Sequence, residues 1–220
     1  MAVQFDHLVI GAQSLEQGAT WAERVLGVSV PAGGAHPLMG THNLLAQMAP
    51  GYLEIIAIDP NAPAPPRNRW YGLDNPETQA ALARQPGPIA WVLGTDTIAA
   101  TSQVAEWSTG PVLDVARGDL TWKITVREDG SAAEGVLPTL IEWPEASPAA
   151  NLPDLGLRLQ HLTLRHPRPE RLRAALASVG AVEDDMQSDP LGFEIRIEPP
   201  SEDAPLVAAE IATPGGLVLL

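Results

Sequence analysis

His7 and Glu54 carry the most chemical promise, because each interrupts an apolar, strand-like run. In Val3-Gln-Phe-Asp-His-Leu-Val-Ile10, period-two alternation groups Phe5, His7 and Val9. In Tyr52-Leu-Glu-Ile-Ile-Ala-Ile58, it groups Tyr52, Glu54, Ile56 and Ile58. A carboxylate among such neighbours is costly to bury unless it is paired, protonated or bound to a cation. Imidazole and carboxylate together suit a divalent metal (zinc, iron, manganese, nickel or cobalt), with coordination positions left open for water or substrate. Such a metal polarises a carbonyl or acidifies a water. The same two side chains can also simply hydrogen-bond each other.

Other residues join these two. Glu142 lies in a later strand-like run, and Trp91 stands where a second histidine is expected. His161 and Glu210 repeat the histidine-carboxylate placement towards the end of the chain. His36, His42 and Asn43 border a hairpin and are candidates to orient a carbonyl or carboxylate ligand. Trp70, Trp91, Trp107, Trp122 and Trp143 are candidates to line a pocket, although Trp91 and Trp143 also read as core aromatics. Trp70-Tyr71 reads as a ligand cover flanked by Arg67 and Arg69. No phosphate-binding glycine loop, nucleophile triad or dinucleotide fingerprint is visible.

The elements that must position these groups recur in three passes of strand, helix and three strands. The first pass has a strand over 3–10, a helix capped by Ser14 and Gln17 and ended by Gly27, and strands over 28–30, 42–48 and 52–58. A proline-rich stretch, Asp59 to Pro66, follows, and Asn75-Pro76 opens a short helix. The second pass has strands over 89–93, 112–115, 120–126 and 137–143, with a helix over 97–107. The third has strands over 157–164, 193–197, 206–211 and 217–220. Its helix carries Leu172, Ala175, Leu176 and Val179 on one stripe. Two such units can pair their apolar faces around a shared cavity, and an odd third must pack on the pair or on another chain. The expectation is therefore residues 1–145 as paired modules, 155–220 as a third module, and a homodimer.

Composition bounds the remaining classes. The 220 residues carry 27 acidic against 13 basic side chains, a net charge of −14, and Lys123 is the single lysine. That balance argues against nucleic acid and anionic membrane surfaces as partners, and leaves a small-molecule ligand. The absence of cysteine excludes disulfides and thiolate metal sites and fits a cytoplasmic protein, as does an N-terminus without a signal-like segment.

Taken together, Phe5-Asp6-His7-Leu8-Val9-Ile10, Gly33-Gly34-Ala35-His36-Pro37, Gly40-Thr41-His42-Asn43 and Tyr52-Leu53-Glu54 resemble the glyoxalase-like branch of the vicinal oxygen chelate superfamily. Gly135 to Trp143 and Leu159-Gln-His-Leu-Thr-Leu164 add to the likeness. The resemblance implies an α+β fold of paired βαβββ modules in a curved mixed sheet around a pocket. It implies a metal held from the first and fourth strands of each module, which selects His7, Glu54 and Glu142. The fourth position falls on Trp91, which cannot ligate and becomes a substrate-binding candidate with His36, His42 and Asn43. The activity implied is a metal-dependent lyase or oxygenase acting on a small carbonyl- or hydroxyl-bearing molecule. The alternative is a metal-free binding or sequestering protein of the same fold.

Overall fold

The computed structural model describes residues 3–182, 190–202 and 204–220. Its first unit runs β1 (Val3–Gly11), α1 (Leu15–Val25), β2 (Ala32–His36), β3 (Thr41–Ala49) and β4 (Tyr52–Ile58). Ser14 caps α1 by accepting the Gln17 backbone N–H at 3.2 Å. The Gln17 side chain accepts from Gln13, one residue further back than a capping box requires. The short strand expected over 28–30 is displaced to β2, which includes Gly33 and Gly34. Side chains there would collide with Asn43 and Arg117, so only glycines let this backbone lie against its neighbours.

A short helix, α2 (Pro76–Arg84), opens as expected with Asn75 accepting the Glu77 N–H. The second unit then runs β5 (Gly87–Thr95), α3 (Ile98–Val104), β6 (Val112–Arg117), β7 (Leu120–Thr125) and β8 (Thr139–Glu142). The third runs β9 (Asp154–Arg165), α4 (Pro169–Ser178), β10 (Glu194–Glu198), β11 (Val207–Thr213) and β12 (Gly216–Leu219).

The described strands form one mixed sheet in the order β12-β11-β9-β3-β4-β1-β5-β8-β7-β6, with β2 also on β3 and β10 also on β9. The first two units share one internal plan. In each, the first and last strands pair in parallel (β1 with β4, β5 with β8), and β1 meets β5 antiparallel at the join. Strand β2 occupies one end of the free edge of β3, and β9 takes the other end at Gln47 to Ala49. The third unit thus continues the sheet.

Strand alternation sorts the core into two layers. Leu8, Ile10, Leu53, Ile55 and Leu93 pack on one face under Trp21 of α1 and Leu26 just after it, Ile98 of α3 and Leu172 of α4. The other, inner face carries Val9, Ile56, Val92, Ile124 and Ile141, joined by Trp70, Tyr71 and Leu82 from the connection between units. The sheet curls around this inner face until β6 returns to β2, where Arg117 reaches Gly34 and Asn43. The fold is α+β, as the resemblance implies.

Candidate ligand site on the inner face

A break in alternation builds the centre of the site. The register of β1 against β5 shifts between Phe5 and His7. Phe5 therefore turns to the helix-covered face, and the Phe5–His7–Val9 grouping expected from simple alternation does not hold. The extra residue at the bulge is Asp6, which ends up buried beside His7. Its carboxylate bonds His7 Nδ1 at 2.6 Å through Oδ1 and accepts the Trp143 indole N–H at 2.9 Å through Oδ2.

On its other side, His7 Nε2 lies 3.4 Å from Glu54 Oε2. The Tyr52 ring stacks on the imidazole with centroids 4.5 Å apart. The second Glu54 oxygen accepts from Asn43 Nδ2 at 2.6 Å. Asn43 uses its whole hydrogen-bonding capacity. Its amide also donates to His36 Nε2 at 3.3 Å, and its carbonyl accepts the Gly34 N–H at 2.9 Å and Arg117 Nη1 at 3.2 Å. With Nε2 accepting, His36 Nδ1 donates to Thr41 Oγ1 at 3.0 Å.

These contacts set the charges. Burial by itself lowers the His7 pKa, but the bonds to Asp6 and Glu54 outweigh it and raise the value to about 9. Burial likewise raises that of Glu54, but the His7 contact and the Asn43 bond bring it down to about 2. His36, with burial as the largest influence and Arg117 adding to it, is lowered to about 4. At neutral pH the site holds an imidazolium against a carboxylate, with a neutral imidazole alongside.

His7, Asn43 and Glu54 face a hollow walled by Trp70, Tyr71, Trp122 and Trp143, with Arg117 also on its lining. Unfilled space between these walls, solvent at the mouth included, is about 330 Å³, but the free room inside is only about 20 Å³. That is about the space of one water molecule, so an organic ligand must displace a wall group to enter. Tyr71 is held at φ 58°, a left-handed conformation rare for a bulky residue. Trp70 and Tyr71 are both buried, so they form a wall where an exposed cover was expected. Arg67 bonds the Val126 and Arg127 carbonyls and Arg69 pairs with Asp74, so neither flanking arginine lines the hollow.

The structure gathers four of the expected site residues, His7, Glu54, His36 and Asn43, and separates three. Glu142 does not reach the hollow. Its carboxylate accepts the Ile98 N–H at 2.7 Å at the start of α3. Trp91 is buried on the helix-covered face, donating to the Val136 carbonyl at 2.8 Å. His42 alternates with Asn43 on β3 and points away from the site. Asp6 and Arg117 were not anticipated. A bulge leaves no mark in an alternation pattern, and Arg117 sits at the end of a largely exposed strand.

Register explains the misplaced pair. In the first unit His7 aligns with Tyr52 and Val9 with Glu54, whereas in the second Val92 aligns with Thr139 and Gly94 with Ile141. The counterparts of His7 and Glu54 are therefore Val92 and Ile141, each one residue from the polar or aromatic side chain that drew attention. A one-residue offset along a strand moves a side chain to the opposite face.

This geometry tests the divalent metal. Two of the four equivalent positions carry donors and two carry aliphatic side chains, while Arg117 places a cation on the same lining. Among the described residues no group of three or more His, Cys, Asp or Glu side chains is arranged to hold a metal. Protein zinc sites ordinarily draw on three or four such ligands. The donor set does not fit.

Comparison with known proteins gives the family. The crystal structure of a hypothetical protein from Staphylococcus aureus superposes with a TM-score of 0.60 at 15% identity, over 91% of this chain and 87% of that one. A Streptomyces coelicolor methylmalonyl-CoA epimerase in complex with 2-nitronate-propionyl-CoA matches over 67% of this chain and 99% of its own, at 15% identity and a TM-score of 0.42. The corresponding epimerase of Mycobacterium tuberculosis matches over 67% and 91%, at 17% identity and a TM-score of 0.42. No curated protein matches by sequence. The family model for the glyoxalase-like domain matches residues 5–180, and the chain belongs to that family, within the vicinal oxygen chelate superfamily.

Proposed function

We propose that the inner face binds a small carbonyl- or hydroxyl-bearing molecule without a metal, with the His7 imidazolium as the group that meets its oxygen. The observation carrying this reading is the 3.4 Å separation of His7 Nε2 from Glu54 Oε2. It is longer than the usual N–H···O range, so this N–H is only loosely committed and a ligand oxygen can share it. Asp6, bonded short to Nδ1, keeps the ring oriented and charged. An imidazolium hydrogen-bonded to a carbonyl oxygen withdraws electron density and favours charge developing on that oxygen, the part a metal would otherwise play.

The competing reading, a metal-dependent lyase or oxygenase, has in its favour only that His7 and Glu54 lie on the first and fourth strands of their unit. Thermal stabilisation by a panel of small aldehydes, ketones and hydroxy acids, with and without chelator, separates the two. Stabilisation that persists in chelator and disappears in His7→Gln supports the metal-free site. Stabilisation that appears only after loading with manganese, cobalt or zinc overturns it.

A further inference from the structure

Among the described residues, Arg117 is the one lysine or arginine on the lining of the hollow. Six other arginines (Arg69, Arg127, Arg158, Arg165, Arg171 and Arg196) lie within ion-pair distance of a carboxylate. Arg117 has no such partner among the described residues. Its one hydrogen bond goes to the neutral carbonyl oxygen of Asn43. A guanidinium has five N–H donors in a planar fork suited to a carboxylate, so most of this fork is unused. Trp70, on the same lining, has its indole N–H buried without a hydrogen-bond partner.

The nearest acceptor, the Asn43 carbonyl, is already taken. Glu54 has one oxygen on Asn43 and the other facing His7, and both lone pairs of the Asn43 carbonyl are occupied. The hollow therefore presents a guanidinium with unused donors beside an Asn43 carbonyl that is fully occupied, a pattern that recognises an anion. The narrowness of the free space sharpens the argument. Where a ligand displaces the Arg117–Asn43 bond, an anion replaces it with a stronger, charge-assisted pair of bonds.

Building on the metal-free reading, we propose that the ligand is a small organic acid, its carboxylate held by Arg117 and its second oxygen function facing His7. A 2-oxo or 2-hydroxy acid carries both groups on adjacent carbons, the simplest ligand that offers a carboxylate and a second oxygen function to one lining. The protein's net charge of −14 opposes anion capture from a distance, so the selectivity is local to this guanidinium.

The test follows tryptophan emission, since Trp70, Trp122 and Trp143 line the hollow, during titration with pyruvate, lactate and glycolate and with their neutral amides. Wild type, Arg117→Gln and Arg117→Lys are compared. Gln removes the charge but can still donate to Asn43, and Lys keeps the charge without the fork. The expected result is acid binding at least about tenfold tighter than amide binding, a loss of about tenfold or more in Arg117→Gln, and partial recovery in Arg117→Lys. Acids and amides binding equally while His7→Gln abolishes both would overturn the carboxylate assignment and leave the metal-free reading intact. No response of wild type to any of the compounds overturns both. Should Arg117→Gln fold poorly, the acid-to-amide ratio in wild type still decides.

Discussion

His7 and the two carboxylates it touches depend on one another, because none is exposed enough for water to replace a lost partner. His7→Gln leaves the Asp6 and Glu54 carboxylates buried without their cation and should cost about 3–5 kcal/mol in urea denaturation. Adding Glu54→Gln should restore part of that loss, since the two residues form one interaction. Titration gives a second check. The His7 pKa is raised in the fold, so protonation of this ring favours the folded state. The stabilisation is complete below about pH 6.5 and is lost as pH rises through about 9. Glu54 is shifted the other way, so its contribution holds above about pH 4.5 and is lost as pH falls towards 2. Stability measured from pH 6 to 10 should decline in wild type and flatten in His7→Gln. An unchanged slope in the variant would mean that His7 is not the titrating group.

At the scale of elements, the bulge in β1 is what places Asp6 behind His7, and Gly51 helps to hold it. Gly51 sits at φ 83° in the turn between β3 and β4, and a Cβ there would lie 2.2 Å from the Asp6 carbonyl oxygen. Gly51→Ala should cost at least about 2 kcal/mol through strain and clash. It should also lower the raised His7 pKa, visible in the imidazole proton resonances. A stable variant with an unshifted His7 would show that the bulge does not depend on this turn. The same elements explain what sequence could and could not reveal. His7 and Glu54 were legible because a polar residue in an apolar run declares itself, and His36 and Asn43 because they border a hairpin. Glu142 and Trp91 misled because second-unit register is set by pairing with β1, which alternation alone cannot fix to within one residue. Asp6 was hidden by the bulge. The order of strands and helices was legible because it rests on turns and periodicity over many residues, which a local offset does not disturb.

At the scale of the molecule, three sequence passes need not mean separate folding units. The layer beneath the helices runs without interruption from Phe5 and Leu8 through Leu93 and Leu140 to Leu162, Leu176 and Ile211. The Phe5 and Phe193 rings meet edge to face at 5.0 Å, joining the first unit to the third. Strand β9 saturates the edge of β3 that β2 leaves open. Removing residues after 152 would expose that strand edge together with Met48 and Phe5, a template for aggregation. Calorimetry of the full chain should therefore give one transition whose calorimetric and van't Hoff enthalpies agree, and the truncated chain should lose cooperative melting. Two resolved transitions, or a truncated chain that melts cooperatively and still binds ligand, would show that the third unit is an independent module. One transition would mean that the site on the first two units draws its rigidity from all three. A destabilising change such as Leu162→Ala, on the far side of β3 from His7, would then weaken ligand binding only by increasing global unfolding.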